Sequence, residues 1–146
     1  MGNWPGQFRT PHALAFDTKG RLFVADRGNN RIQIFNQDGK LLDTYLQFSR
    51  VSGLFITTDD TLYAIDSESK SKTRPGWKTG IRIGNAAEDR ATAYIPPHPS
   101  QTRWFEGFAG EGVAVDADGN VYAAEGPGSR KVVKGGITKY MPKPRR

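Results

Sequence analysis

Residues 11–35, PHALAFDTKGRLFVADRGNNRIQIF, decide how the whole chain is read. The stretch divides into His12 to Asp17, Arg21 to Asp26 and Arg31 to Asn36, three runs rich in β-branched and aromatic residues. Lys19-Gly20 separates the first two runs and Gly28-Asn29-Asn30 the next two. Glycine reaches the positive φ of a tight turn, so such breaks between alternating apolar runs predict antiparallel hairpins. A fourth run, Leu41 to Leu46, follows Gln37-Asp38-Gly39. The expected unit is a twisted sheet of four strands in up-and-down order.

Two weaker copies of the phrase follow, SGLFITTDDTLYAID at 52–66 and EGVAVDADGNVYAAE at 111–125. A recurring phrase of this kind signals a repeat architecture. The second unit continues through a long Ser-, Lys- and Thr-rich loop from Ser67 to Lys78, then Gly80 to Gly84 and Ala91 to Ile95. Its third counterpart continues to Ile137–Tyr140, after which Pro142 and Pro144 oppose a paired fourth strand. The units run at about 11–47, 51–96 and 110–141, within one domain. Between the last two, PPHPSQTRWFEGFAG excludes helix and central strand, and Trp104, Phe105 and Phe108 are expected to pin it onto sheet edges.

Aligned on Asp26, Asp66 and Glu125, the first strands place His12, Ser52 and Glu111 at one position, and Arg27, Ser67 and Gly126 follow the acid. Small residues crowd these first strands, as in the innermost strand of a β-propeller blade. The expected fold is all-β, with three propeller blades, the last incomplete. Propellers close with roughly four to eight blades, so three are half of a six-bladed ring. A half-ring leaves two apolar sheet faces open, which a homodimer would bury. The partner's residues 2–8 are a candidate for the missing outer strand, although Pro5 and Gly6 suit a strand poorly.

Composition narrows the setting. There is no cysteine, which removes disulfides and thiolate metal sites. No apolar run approaches a membrane span, and MGNWPGQF lacks the basic and apolar regions of a signal peptide, so the expected location is the cytoplasm where the chain is made. The net charge of +6 gathers in two places, Lys70, Lys72, Arg74 and Lys78, and the stretch from Arg130 to Arg146. Basic runs can grip nucleic acid, but a solvated loop and tail is the favoured reading. The hairpin acids Asp17, Asp38, Asp60, Asp116 and Asp118 read as turn formers.

With its V-A-D and N-N-R-I-Q-x-F phrases, residues 11–35 resemble the NHL repeat, and GEGVAVDADGNVYAAE resembles its first half. From GIRIGNAAEDRATAYIP to EGVAVDADGNVYAAEGPGSR the chain also resembles the C-terminal half of bacterial NHL proteins related to the peptidyl-hydroxyglycine amidating lyase. That resemblance implies a six-bladed ring whose axial zinc is held by first-strand histidines, with an arginine and a tyrosine serving the cleavage of a carbinolamine. Pro11-His12 matches the zinc-ligand motif and Arg27 the arginine position. Ser52 and Glu111 stand where further histidines would, no tyrosine occupies a matching position, and His98 lies in the proline-rich connection.

Three readings follow. The leading one is a non-catalytic scaffold that homodimerises into a six-bladed ring and binds a small molecule or a protein, with Ser52, Ser67, Trp77 and Trp104 as ligand-face candidates. The second is a metal-dependent lyase or hydrolase, with zinc or calcium on the ring axis held by His12 and Glu111, and Arg27 as the catalytic candidate. RNA binding through the basic loops comes third.

Overall fold

In the computed structural model, residues 1–69, 73–97, 110–125 and 136–143 are described. They form three antiparallel sheets, one per sequence unit. The first holds β1 (Pro11–Phe16), β2 (Leu22–Asp26), β3 (Arg31–Phe35) and β4 (Leu41–Tyr45) in that order. Next come β5 (Val51–Ile56), β6 (Thr61–Asp66), β7 (Gly80–Asn85) and β8 (Ala91–Ile95). The third sheet has β9 (Gly112–Val115), β10 (Val121–Glu125) and β11 (Gly136–Tyr140), so among the described residues it has no fourth strand. A 3-10 turn, Arg27–Asn29, joins β2 to β3.

The sheets repeat down to their irregularities. β1 bulges between Pro11 and Leu14, and β5 bulges at the equivalent place between Val51 and Gly53. Bulges also recur between Ile34 and Phe35 and between Ile83 and Gly84, on the outer strand pairs. Such bulges bend a strand and re-aim a side chain. The hairpin turns use one φ at equivalent positions, Gly20 at 73°, Asp60 at 60° and Gly119 at 79°.

β1 packs against β5 and β5 against β9, so the first strands converge. Gly53 shows why they are made of small residues. A Cβ there would stand 2.6 Å from the Glu111 carbonyl oxygen and 3.1 Å from Gly112 Cα, both backbone atoms.

The main core fills the junction between the first two sheets. Phe23, Ile32, Ile34, Tyr45, Phe48 and Leu62 are fully buried there. Tyr45 lies edge-on to Phe23 and stacks with Phe48, while its hydroxyl donates to the Ala86 carbonyl at 2.9 Å. Asp89 accepts from the Leu46 and Gln47 amides, and Asp60 accepts from the Thr18 amide at 2.8 Å and its hydroxyl at 2.7 Å. The second junction is smaller, with Ile65 and Ile81 against Val121 and Ala123.

Asp60 therefore corrects one expectation. Its carboxylate serves the neighbouring sheet, and its own hairpin is held by Thr57 and Asp59. In the first unit the turn before β4 is likewise capped by Asn36, whose side-chain oxygen accepts from Asp38 and Lys40. Asp17 and Asp116 do cap their own hairpins.

Asp60 and Asp116 both titrate low. The Thr18 hydroxyl, with the Thr18 amide, holds Asp60 below the ordinary carboxylate range. Asn120 holds Asp116 down to about 2, with help from the Tyr122 hydroxyl. A depressed folded-state value means that the stabilisation is present above the ordinary carboxylate range and is lost as pH falls through the lowered value. The expected outcome in an acid NMR titration is that the Thr18 and Asn120 amide signals move only below the range in which ordinary carboxylates protonate, with Asn120 moving near pH 2.

Residues 2–9 are tied to their own first sheet. Arg31 donates to the Asn3, Trp4 and Gln7 carbonyls, and the Gln33 amide donates to Gln7 while accepting from the Gly6 amide. The expectation that this segment completes a partner's third sheet is corrected accordingly. Its hydrogen-bonding groups are spent at home.

Two sheet faces stay open. On the first sheet, Leu14 and Phe16 are 65% and 58% exposed, beside a hollow of about 900 Å³ that Phe8, Leu22, Val24 and Phe35 also line. On the third sheet, strand alternation puts Ala114, Tyr122, Ala124 and Ile137 on the side away from the second sheet, and Ile137 is 71% exposed. Repeat alignment gives these faces a meaning. Leu14, Phe16 and Leu22 correspond to Leu54, Ile56 and Leu62, which the first sheet covers. Ala114, Tyr122 and Ala124 correspond to Ala15, Phe23 and Ala25, which the second sheet covers. The open faces are the two halves of a junction that the chain already builds twice.

Candidate functional site at the convergence of the first strands

The bulge in β1 takes His12 out of the ladder and aims it across the first strands. Its Nδ1 lies 2.9 Å from the carbonyl oxygen of Ser52, the extra residue in the β5 bulge. A carbonyl only accepts, so Nδ1 carries a proton, and in the neutral form of the ring the lone pair lies at Nε2. Nε2 faces Glu111 Oε2 at 4.0 Å. The first and third units thus meet through the two residues expected as metal ligands. Among the described residues, however, no three His, Asp or Glu side chains converge.

Arg27 sits in the 3-10 turn that leaves β2. Its Nη1 lies 3.5 Å from Glu68 Oε1 and 3.7 Å from Glu111 Oε1. Arg50 Nη2 reaches Glu68 Oε2 at 2.7 Å, and its Nη1 reaches Asn30 Oδ1 at 3.4 Å. One ion network therefore spans all three units, with Glu68 between two arginines. Arg27 is engaged with two carboxylates and holds the repeats in register. Among the described residues the Nε atoms of both arginines are buried without a partner.

Ser52 and Ser67 do not form a ligand face. They are 2% and 0% exposed, and their hydroxyls bond each other at 2.7 Å. Trp77 lies on the loop before β7, partly exposed and well away from His12 in the chain's topology. Trp104, Phe105, Phe108 and His98 lie outside the described residues.

Asp26 and Asp66, the strand-end acids on which the repeats align, are fully buried. Asp26 accepts from the Arg9 amide (2.7 Å), Asn29 (2.8 Å), Arg31 (2.7 Å) and Gln33 (3.3 Å). Asp66 accepts from the Glu68 and Ser69 amides and from Arg82 at 3.2 Å.

Sequence reasoning missed Glu68, Arg50 and Arg82. For Arg82 a signal existed: a cation between two isoleucines in GIRIG falls on the repeat position of Gln33, which also bonds the strand-end acid.

Consecutive antiparallel sheets of up to four strands, stacked with their first strands inward, define β-propeller blades. Residues 8–35 match the family model described as NHL repeat, and the stacked sheets have the fold of β-propeller blades. Human NHL repeat-containing protein 3 is 51% identical over 37 residues, 25% of this chain and 11% of its own length. Human E3 ubiquitin-protein ligase TRIM32 is 48% identical over 40 residues, 27% of this chain and 6% of that protein. The chain thus matches about a tenth or less of the length of these curated relatives. Among solved structures, Kuenenia stuttgartiensis hydrazine synthase superposes with a TM-score of 0.60 at 15% identity, over 86% of this chain and 30% of that one. Streptogramin B lyase superposes with a TM-score of 0.52 at 13% identity, over 93% and 41%. Among the described residues no helix is long and apolar enough to cross a membrane.

Proposed function

We propose that this protein is a non-catalytic binding scaffold whose three blades close with a second copy into a six-bladed ring. The observation that carries the reading is the pair of open faces, which are the two halves of the existing first junction. Placing the Leu14–Phe16 face of one copy on the Tyr122–Ile137 face of the other buries both at once, and a two-fold axis makes the junction twice. The ion network supports the scaffold role, because Arg27 is spent on Glu68 and Glu111. The ring's loops then present a face to a protein or small-molecule ligand. Native mass spectrometry tests this: the expected species has the mass of two chains, and a folded monomer at micromolar concentration would overturn closure by a second copy.

A specific observation favours a metal-dependent enzyme as the second reading. The Nδ1 proton of His12 is committed to Ser52, so that in the neutral ring Nε2 is the donor atom left toward Glu111, which is how a protein prepares an imidazole ligand. One chain supplies two donors where a catalytic zinc takes three, so only the paired ring, with two His12 and two Glu111, could complete a set. The positive Arg27 beside Glu111 opposes a cation there. Elemental analysis separates the readings. The scaffold is expected to purify without stoichiometric zinc, and zinc that is lost in His12→Ala would favour the enzyme.

A further inference from the structure

The second blade carries a segment that blade formation does not require. The first blade joins β2 to β3 through Arg27–Asn29 and Asn30, whereas the second spends residues 67–79 on the same connection. An enlarged connection on a rigid scaffold is a common place for a binding site.

Residues 73–79 fold back on their own sheet. The Thr73 hydroxyl donates to the Glu68 carbonyl at 2.6 Å, Arg82 Nη2 donates to Lys78 at 2.7 Å, and the Tyr94 hydroxyl donates to the Thr79 carbonyl. Gly80, with φ of 142°, lets the Tyr94 ring cross it, since a Cβ would lie 2.5 Å from that ring. The Arg74 and Arg82 guanidinium carbons lie 4.8 Å and 4.7 Å from the Trp77 ring centre, and Arg82 lies 5.6 Å from that of Tyr94. Beside this stack, a cleft of about 440 Å³ opens between Gly76, Trp77 and Lys78 on one wall and Ala91 to Tyr94 on the other.

Charge in this cleft is unbalanced. Asp66 is buried and already serves Arg82 and two backbone amides. Among the described residues Arg74 and Lys78 have no carboxylate partner, and Arg74 Nε is a buried donor with no acceptor. The other wall is β8, the last strand of its sheet, whose outer edge has no partner strand among the described residues. The bulge beside Gly84 and Pro96-Pro97 limit the free edge to a short run, with Ala93 and Tyr94 exposed. An extended chain can add to such an edge through backbone hydrogen bonds, with flanking pockets choosing its side chains. The equivalent outer strand of the first blade carries the exposed Asp43 and no such loop.

We infer that the β8 edge and the Trp77 loop form a docking site for an extended acidic peptide segment of a partner protein. Its backbone pairs with the free part of β8 and its carboxylate lies between Arg74 and Lys78. Charge complementarity chooses this occupant: two unpaired cations on a chain of net charge +6 attract an acidic segment and repel a basic one. Nucleic acid fits less well. Base stacking wants an open aromatic face, and the Trp77 ring already carries two guanidinium groups.

The test uses the full chain and a dye-labelled peptide of alternating glutamate and valine, followed by fluorescence anisotropy, with a lysine–valine peptide as control. Saturable binding of the acidic peptide alone is expected. The double variant Arg74→Glu, Lys78→Glu should weaken it by about tenfold or more. Amide hydrogen exchange at residues 93–95 should slow on binding. Lys78 is exposed and Arg74 half-buried, and circular dichroism of the variant checks that the sheets persist. If that variant is misfolded, Lys78→Ala alone is expected to weaken binding severalfold. Absence of saturable binding, equal affinity in the folded variants, or tighter binding of an oligouridine RNA in place of the peptide would overturn the inference.

Discussion

Replacing Asp26 with alanine should destabilise the chain by about 3–5 kcal/mol, the range for removing one partner from a buried, hydrogen-bonded ion pair. The carboxylate is fully buried and joins four parts of the first blade: the lead-in at Arg9, the turn at Asn29, and Arg31 and Gln33 on β3. Alanine would leave the Arg31 Nε and the Arg9 amide without their acceptor beside a void, while Gln33 keeps only its bond to the Gln7 carbonyl. Each such orphan costs about 1–3 kcal/mol, so the terms reach the stated range without any cavity contribution. Asp26→Asn separates charge from shape. One amide oxygen can still accept from Arg9, but the new NH2 faces donors from Asn29, Arg31 and Gln33, so most of the loss should persist. Urea denaturation measures both variants. A cost below about 1 kcal/mol for alanine would show that water replaces these bonds and that the buried acid is not what holds the blade's end.

Much of this fold was legible because each hairpin states itself locally. Lys-Gly and Asp-Gly turns mark the strand ends to within about one residue, since the turns need positive φ and the flanking runs alternate. Asp60 shows where local reading stops. It takes the glycine position of its turn at φ 60°, yet its carboxylate is used by Thr18 of the neighbouring blade. The same holds for the site. Repeat alignment placed His12, Ser52 and Glu111 at one structural position, and the chain brings His12 and Glu111 together. It could not show that the β5 bulge turns the Ser52 hydroxyl inward toward Ser67. Glu68 was unreadable for a further reason. It lies on an irregular loop, and its role comes from Arg27 and Arg50, which are distant in sequence.

One substitution made at two equivalent repeat positions should give opposite results, and that contrast bears most directly on the assembled state. Leu14 and Leu54 occupy the same place in successive blades, yet Leu14 is 65% exposed and Leu54 is 8% exposed. Leu54→Asp puts a carboxylate into the core shared with Phe23 and Leu62. Losing the leucine's burial costs about 1.5–3 kcal/mol, and burying an unpaired charge adds more, so this variant should be largely unfolded in dilute buffer. Leu14→Asp meets no neighbour within its own chain on the open face, so each chain should keep its β-sheet circular dichroism. Its effect falls on association. Two charged residues, one at each of the ring's two junctions, would have to be desolvated against the Tyr122 and Ile137 face. Native mass should therefore move from two chains to one while the fold persists. The reciprocal change Ile137→Asp, on the opposite open face, should do the same, and mixing the two variants should not restore full pairing, because a mixed pair gathers both carboxylates in one junction and leaves only the other intact. If Leu14→Asp leaves a two-chain mass unchanged, the pairing surface lies elsewhere and the open face is not the seam of a ring.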